Sequence, residues 1–453
     1  MTHINDREEK KAFYKLVFVL VLPMALQNLI NVGVTSADVI MLGQVGETSL
    51  SAASLAGQVQ FIMTLIFFGL TSGAAVLTAQ YWGKKDIRSI EKILAITMRF
   101  AILGAIIFTV AALLFPVPIM KLFTSEEAVL KEGVSYLKII GFSYIFVAIT
   151  MIYLNVMRSV ERVIISTVVY SVSLVINVIF NAIFIFGLFG LEPMGVRGAA
   201  LATLIARITE LIIVWFYARK INRMVRFHFK DLFTIDKVLL KDFLTFSIPV
   251  MLNELIWGAG TAANAAIIGH LGSPVVAANS VTQVTRQLAM VVAFGIANAT
   301  AIIIGKAIGE QKEELAKVYA KRFIRLTLVV GFIGSLVILG VSGIAQSQMT
   351  LSQDAKYYLN IMMFVMSYFA LGQAYNTTMV VGVFRAGGDT RFGLILDATT
   401  LWGCSILFGA LAAFVWKLPI PLVYMIIMSD EIIKLPLTTL RYKSYKWVRN
   451  VTR

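Results

Sequence analysis

The chain has little cysteine, histidine and charge for its length. Its 453 residues include one cysteine, three histidines and only 14% charged residues. The lone cysteine, Cys404, excludes internal disulfides and thiolate-ligated metal centres. P-loop, HExxH and GxSxG motifs are absent from the sequence, which disfavours ATP-driven pumping and the familiar hydrolases. We therefore expect neither an enzyme nor a bound cofactor.

Apolar runs dominate the rest of the sequence. Apolar residues make up 58% of the chain, and a soluble domain would carry about a quarter charged residues. The runs of about 20–30 residues are long enough to cross a hydrocarbon core of roughly 30 Å as helices, and the alternating pattern of a membrane barrel is absent. They predict an all-α polytopic membrane protein with twelve transmembrane helices, at 14–42, 54–82, 93–115, 133–157, 163–187, 196–218, 243–271, 275–305, 323–345, 355–383, 391–416 and 419–439.

The net charge of +15 suggests nucleic acid as a partner until the positions of the charges are considered. If both termini are cytoplasmic, most Lys and Arg residues fall in segments on that side. The opposite side holds only Lys121, Lys131, Arg197, Lys356 and Lys417. This bias follows the positive-inside rule, so the charge sets orientation and no nucleic-acid partner is expected. The first apolar run is too long for a signal peptide, and we expect no cleavage.

The sequence contains one unit used twice. PMALQNL at 23–29 aligns with PVMLNEL at 249–255, and ADVIMLGQVG at 37–46 aligns with ANAAIIGHLG at 263–272, both at an offset of 226. Six spans is an even number, so the second copy enters the membrane from the same side, as a parallel repeat. The predicted organisation is therefore two six-helix bundles with a substrate cavity between them. The segments are an amino-terminal lobe at 1–218, a cytoplasmic linker at 219–242 and a carboxyl-terminal lobe with a cytoplasmic tail at 243–453.

Polar residues form a stripe in the first predicted span. Gln27, Asn31, Thr35 and Asp38 recur at helical spacing and share one face. Such a face cannot contact lipid, so it lines a wet cavity or hydrogen-bonds to neighbouring helices. The carboxylate favours a functional role. Similar candidates follow in other spans: Glu254, Trp257, Thr261 and Asn264 in the seventh; Tyr170, Asn177 and Asn181 in the fifth; and Thr203 in the sixth.

Asp38 and Glu254 have no basic residue within one helical turn. An unpaired carboxylate inside a membrane can take up a proton, or can hold Na⁺ when other oxygen atoms surround it. The sequence does not distinguish these two ions. No other metal site is expected.

The remaining embedded charges have simpler interpretations. Arg207 with Glu210, and Lys434 with Asp430 and Glu431, have the spacing of pairs on one helix. Gln283 and Arg286 are candidates for the substrate cavity, and Arg286 can reach Glu254 or Asp397 only across helices. Pro23 and Pro249 occupy matching places in the two halves and predict kinks that either are static or serve as hinges.

Three motifs resemble those of bacterial multidrug and toxic compound extrusion (MATE) transporters. They are INVIFNAIFIFGLFGLEPMGVRGAALAT at 176–203, VFRAGGDTRF at 383–392 and SDEIIKLPLTTLRYKSYKWVRNVT at 429–452. The resemblance covers nearly the whole chain. It implies two six-helix lobes, a central cavity, and export of organic cations in exchange for H⁺ or Na⁺ across the bacterial cytoplasmic membrane. We expect a monomeric transporter in contact with membrane lipids.

The resemblance also assigns residues. Asp38 matches the family's first-span aspartate, and Asn177, Asn181 and Thr203 fall where its polar companions lie. Many members carry Asp at the position of Asn181. Glu254 matches a seventh-span glutamate of some Na⁺-coupled members, but their tenth-span aspartate has no counterpart in GQAYNTT at 372–378.

Two other functions fit parts of this pattern. A flippase for lipid-linked oligosaccharides shares the architecture, and would use cationic residues such as Arg286 to hold pyrophosphate. An intramembrane enzyme would need acid, base or nucleophile groups brought together, and the sparse carboxylates argue against it. We expect a secondary antiporter.

Overall fold

The fold is entirely helical in the part of the chain that can be described. The computed structural model describes residues 2–348 and 352–453, and these contain no β-strand. The α-helices, in chain order, are α1 (Thr2–Val45), α2 (Glu47–Lys84), α3 (Ile87–Leu114), α4 (Pro116–Lys121), α5 (Glu127–Ile140), α6 (Ser143–Ser159), α7 (Ile164–Phe186), α8 (Val196–Phe216), α9 (Lys237–Gly269), α10 (Ser273–Gly309), α11 (Glu313–Gln348), α12 (Gln353–Thr377), α13 (Thr390–Asp397), α14 (Leu407–Ala410), α15 (Ile420–Ile427) and α16 (Asp430–Lys443). Wider π-helical turns occupy Tyr217–Ile221, Thr378–Phe384, Ala398–Ile406 and Leu411–Val415, and 3₁₀ turns occupy Leu188–Gly190 and Phe229–Leu232.

Helices lie at all twelve predicted spans. Eight helices among the described residues are long and apolar enough to cross a membrane, and the number is nine if the pair α5 and α6, which is bent by 52°, is counted as one span. The other three predicted spans correspond to α9, to α12 with the π turn after it, and to α15 with α16. The last of these spans is divided into two helices, α15 and α16, of 8 and 14 residues. The all-α polytopic architecture predicted from the sequence is confirmed.

Helix α7 shows why these helices suit a membrane. Its apolar side chains point outward, with Val175 at 56% exposure, whereas Asn177 and Asn181 are at most 1% exposed. A soluble helix has the opposite arrangement, because water solvates polar groups and excludes apolar ones. In lipid the polar groups must find partners inside the protein. The burial pattern therefore places the polar face of α7 against other helices.

The repeat is visible in the backbone as well as in the sequence. Gly46 and Gly272, which follow the first helix of each half, both have positive φ, at 151° and 110°. Lys85 and Gln311, which follow the second helix, lie in the left-handed region at 62° and 61°. Both pairs are separated by the offset of 226 found in the sequence. Such positions are uncommon for residues other than glycine, so their recurrence shows that the same turns were used twice.

The contacts divide the chain into two units. The unit called here the carboxyl-terminal unit comprises Met1–Ala25, Ala79–Lys85 and Ile248–Arg453, and the amino-terminal unit comprises Leu26–Thr78 and Asp86–Ser247. The division falls within α1 just after Pro23 and within α9 just before Pro249, and both helices continue through their prolines. The predicted lobe and linker boundaries stay a prediction.

A close helix crossing stabilises the carboxyl-terminal unit. The end of α2 meets the end of α10 at Gly83 and Gly309, which are equivalent in the repeat. A Cβ atom at Gly309 would lie 1.8 Å from the carbonyl oxygen of Gln80, and one at Gly83 would lie 2.1 Å from that of Lys306. Only glycine lets the two backbones approach this closely. Each of the two glycines thus packs against the backbone of the other helix.

Candidate ion-coupling sites and substrate cavity

Asp38 lies at the end of a ladder of neutral hydrogen bonds in the amino-terminal unit. Its Oδ1 accepts a hydrogen bond of 2.5 Å from the Asn181 amide nitrogen. The same amide nitrogen of Asn181 lies 3.1 Å from Asn177 Oδ1, and Asn177 donates in turn to Thr203 Oγ1 at 3.2 Å. The ladder joins α1, α7 and α8. The four-residue spacing of Asn177 and Asn181 puts both amides on one face of α7, which is why they can act in series.

The charged residues described near this ladder do not form an ion pair with Asp38. Among the described residues Asp38 makes no ion pair, although Arg207 on α8 is close enough to attract it. Arg207 is committed to Glu210, one turn along the same helix, with 2.6 Å between Nη1 and Oε1. That pair was predicted from the spacing and is confirmed. The Oδ1 atom of Asn181 is buried and has no hydrogen-bond partner among the described residues.

A carboxylate in this setting can bind a small cation. The side-chain oxygens of Asp38, Asn177, Asn181 and Thr203 are the hard ligands that Na⁺ prefers, and that of Asn181 accepts no hydrogen bond from the described residues. A proton on Asp38 would satisfy the same arrangement, because a protonated carboxyl both donates and accepts hydrogen bonds. The described residues contain no cluster of three or more His, Cys, Asp or Glu side chains for a metal ion.

The rest of the α1 stripe does not behave as one surface. Gln27 is buried, and its side-chain oxygen has no partner. Asn31 and Thr35 are exposed, and the Thr35 hydroxyl donates to the backbone carbonyl of Asn31 at 3.2 Å. The three residues predicted to line a cavity therefore differ in exposure, because the first is buried and the other two are exposed. Tyr170 on α7 is half-buried.

Glu254 is placed very differently in the carboxyl-terminal unit. Its Oε1 lies 2.7 Å from Arg385 Nη2, in an ion pair whose side chains are 13% and 5% exposed. The same guanidinium nitrogen donates to Asn253 Oδ1 at 3.0 Å. Glu254 indeed lacks a basic neighbour within one turn, but a partner arrives from another helix. Nothing in the sequence indicated that Arg385 is this partner, because the two residues lie on separate helices.

The Glu254 pair belongs to a longer buried network. Asn253 donates to Asp397 Oδ2 at 2.6 Å, and Asp397 Oδ1 lies 2.8 Å from Lys434 Nζ. Lys434 also contacts Asp430 at 3.0 Å and Glu431 at 3.5 Å. The local pairing predicted for Lys434 is confirmed, while its partnership with Asp397 was missed. No periodicity in the sequence joins residues on α9, α13 and α16.

The candidate Arg286 has neither of the partners considered from the sequence. Its Nε donates to Gln283 and its Nη1 to Gln373, both at 2.9 Å. The expected pairing with Glu254 or Asp397 is wrong, since those carboxylates are bonded to Arg385 and Lys434. Two amide oxygens satisfy this guanidinium instead.

The remaining α9 candidates are spread over several environments. Trp257 is half-buried and packs against the apolar core of the carboxyl-terminal unit. Thr261 is exposed and donates to the Trp257 carbonyl at 3.0 Å, and the half-buried Asn264 has an unpartnered side-chain oxygen. The structure does not bring these three side chains together with Glu254 through any hydrogen bond in the described residues.

Comparison with known proteins gives a consistent picture. The family model described as MatE matches residues 23–183 and 249–411, two stretches that start at Pro23 and Pro249. The chain is 22% identical to the probable multidrug resistance protein YoeA of Bacillus subtilis, over 89% of this chain and 88% of YoeA. It is also 22% identical to the probable multidrug resistance protein NorM of Thermotoga maritima, over 97% and 94% of the two chains. The fold matches a MATE transporter of Vibrio cholerae with a TM-score of 0.86 at 19% identity, over 96% of this chain and 97% of that one.

Proposed function

Because the chain belongs to the MatE family of multidrug efflux transporters, we propose that it is an antiporter that exports organic cations in exchange for H⁺ or Na⁺. The family consists of transporters, so the expectation that the chain is not an enzyme is confirmed, as are its membrane location and small-molecule substrates. The proposal further places it in the bacterial cytoplasmic membrane as a monomer, surrounded by membrane lipids, with both termini in the cytoplasm. The placement of the termini rests on the distribution of basic residues.

The observation that carries the proposal is the environment of Asp38. It is a carboxylate inside a helical bundle, hydrogen-bonded to neutral amides and without an ion pair in the described residues. An embedded charge of this kind costs roughly 2.5–3.5 kcal/mol on insertion scales, so it is retained for a purpose. Binding and releasing a cation is the purpose that its oxygen-rich surroundings support. We assign the coupling ion to Asp38, with Asn177, Asn181 and Thr203 as companions.

The proposed cycle is an exchange. A cationic compound binds from the cytoplasmic side, attracted by embedded carboxylates and by aromatic faces such as those of Trp257 and Tyr170. On the outer side, H⁺ or Na⁺ binds at Asp38 and cancels this attraction, so the compound leaves. Thermodynamic linkage requires that the substrate weaken binding of the ion by the same factor. Pro23 and Pro249 are proposed as the points where α1 and α9 bend during the cycle.

Reconstituted transport tests the proposal. Purified protein in proteoliposomes is given a panel of organic cations under a pH gradient alone or a Na⁺ gradient alone. We expect uptake or release to follow one of these gradients, and Asp38→Asn to abolish driven flux while the protein stays folded. Asp354→Asn, which removes an exposed carboxylate, is the matched control and should transport normally. Full driven flux in Asp38→Asn would reject the site.

The same assay separates the second candidate. A flippase would move an amphiphile with a pyrophosphate group and would ignore organic cations. Arg286 is a half-buried cation that could hold such a substrate, and among the described residues its side-chain hydrogen bonds go to the amides of Gln283 and Gln373. Fluorescently labelled lipid-linked sugar, scored for transfer between leaflets, is therefore included in the panel. Transfer of this lipid without cation flux would replace antiport by the flippase.

A further inference from the structure

A groove on the surface of the amino-terminal unit has the chemistry of a lipid site. It has a volume of about 360 Å³, within the range of small-molecule pockets, and all of its lining side chains are apolar or aromatic. Met98 of α3, Tyr153 of α6 and Trp215 of α8 form three of its sides. Phe229 and Leu232, from the segment between α8 and α9, close the fourth. No polar surface faces into the groove, which suits a hydrocarbon chain better than a polar ligand.

The fourth side of the groove is held rigidly. Asp231 receives two hydrogen bonds from Arg88, at 2.7 and 2.8 Å, and Arg99 donates to the Leu232 carbonyl at 2.8 Å. Asn222 donates to the Tyr153 hydroxyl at 2.8 Å, which ties the start of the segment to α6. These bonds fix the segment between α8 and α9 against helices that line the groove. The groove is therefore preformed and does not depend on a bound molecule to order it.

The same bonds leave the segment with uncompensated positive charge. Both of its acidic residues are in ion pairs. Asp231 pairs with Arg88, and Asp236 pairs with Lys92 at 3.0 Å. The backbone amide of Leu239 and then the Lys92 ammonium hold the pKa of Asp236 below its usual value. The exposed cations Lys220, Arg223 and Lys230 have no carboxylate partner in the described part of the chain. An apolar groove beside these three cations is complementary to a molecule with an apolar tail and a negative head.

The surroundings of the groove place it at a membrane surface. Trp215 and Phe229 are each 58% exposed, and the basic residues follow directly in sequence. Exposed aromatic rings beside Lys and Arg are typical of the boundary between hydrocarbon and headgroups. In the proposed orientation this boundary is the cytoplasmic one, where anionic lipids attract basic segments.

We propose that this groove binds one acyl chain of an anionic phospholipid, whose phosphate lies against Lys220, Arg223 and Lys230. The site is separate from Asp38 and from the ion-exchange cycle. A cationic drug is a poor alternative, because the carboxylates of the segment are paired and none lines the groove. The lipid would pack between α8 and the segment that leads to α9.

Fluorescence quenching by brominated lipids tests the site. The protein is placed in phosphatidylcholine vesicles that contain rising fractions of chain-brominated phosphatidylglycerol or chain-brominated phosphatidylcholine. The Trp215 signal is taken as the difference between the wild type and Trp215→Phe. We expect phosphatidylglycerol to reach half-quenching at a mole fraction at least about fivefold lower, because each basic residue near the surface contributes roughly 1 kcal/mol.

Two variants test separately the contact with the acyl chain and the contact with the lipid headgroup. The triple change Lys220→Gln, Arg223→Gln and Lys230→Gln should bring both lipids to the same half-quenching fraction. Ala218→Phe fills the groove and should remove the strong quenching phase for both lipids. The matched control is Lys321→Gln with Arg325→Gln, which neutralises exposed cations of α11 and should keep the preference.

The possible outcomes are decisive. Equal half-quenching fractions in the wild type, or an unchanged preference in the triple variant, would overturn the proposal. The triple variant removes no packed side chain, so it decides the question even where Ala218→Phe does not fold. The assay measures lipid binding without transport, so its result is independent of whether the antiport proposal stands.

Discussion

The two embedded carboxylates of the α1 and α9 helices differ in what surrounds them. Asp38 is bonded to a neutral amide and makes no ion pair among the residues that can be described, whereas Glu254 is bonded to Arg385 at 2.7 Å. A buried ion pair resists a second cation, because its negative charge is already balanced at short range. A carboxylate with only neutral partners gains from binding one. The comparison therefore favours Asp38 over Glu254 as the proposed exchanging group.

This difference arises on a duplicated scaffold. Asp38 corresponds to Asn264 in the second half, and Glu254 corresponds to Asn28 in the first, at the common offset of 226. The positions that shape the backbone are matched, as in Pro23 with Pro249 and Gly83 with Gly309. The duplication thus preserves helix shape and close crossings while the charges diverge.

The largest expected effect is the difference in flux between two variants, each of which neutralises one of the two carboxylates. Asp38→Asn should abolish driven flux, and Glu254→Gln should retain it per folded molecule, because only the first removes an unpaired charge. Proteoliposome flux, normalised to the amount of folded protein recovered, measures this. Retained flux in Asp38→Asn together with lost flux in Glu254→Gln would reverse the assignment.

The next effect concerns stability. Glu254→Gln leaves the guanidinium of Arg385 buried without its counter-charge, and breaking a buried pair in this way costs about 3–5 kcal/mol. The double change Glu254→Gln with Arg385→Gln should recover most of that loss, since no charge is then left unpaired. Thermal unfolding in detergent measures both variants. Equal melting temperatures of the single variant and the wild type would show that the pair does not form.

A smaller effect is expected at the amide ladder. Asn181→Ala removes the donor to Asp38 and the contact with Asn177 Oδ1, and unmade hydrogen bonds in buried sites cost about 1–3 kcal/mol. We expect that variant to keep its fold and to need a higher concentration of the coupling ion for half-maximal flux. Ser173→Ala on the same buried face of α7 is the control. An unchanged ion requirement would remove Asn181 from the site.

The smallest loss of stability is expected at the prolines. A proline inside a helix costs about 3 kcal/mol relative to an ordinary residue, so Pro23→Ala should leave the melting temperature unchanged or raise it. Turnover should fall, because the bend at this point becomes harder to form. Pro249→Ala in α9 is the matching change in the other half. Normal turnover in Pro23→Ala would identify the kink as static.

Some features of the sites followed from the sequence because they are local. The four-residue spacing of Asn177 and Asn181 predicted a shared face, and the three-residue spacing of Arg207 and Glu210 predicted their pair. The pairing of Lys434 with Asp430 and Glu431 is local in the same sense. In each case the distance is fixed by one helix, so neighbouring helices cannot change it.

Other features had no local signal. Arg385 lies 131 residues from Glu254, and no spacing in the sequence links the two. Its pairing depends on how the chain after α12 packs against side chains of α9. For Asp397 the sequence suggested only Arg286 as a partner, whereas Lys434 reaches it from a separate helix.

The sequence by itself determined the helical membrane architecture, the duplication and the family, because hydropathy, repeat spacing and motifs are properties of the chain alone. It also determined which carboxylates are embedded. The tertiary structure decided which of them has a counter-charge, since a salt bridge of a few ångströms depends on packing between helices distant in sequence. It likewise decided that an apolar groove lies beside the basic segment between α8 and α9, because a groove exists only once its walls have been brought together.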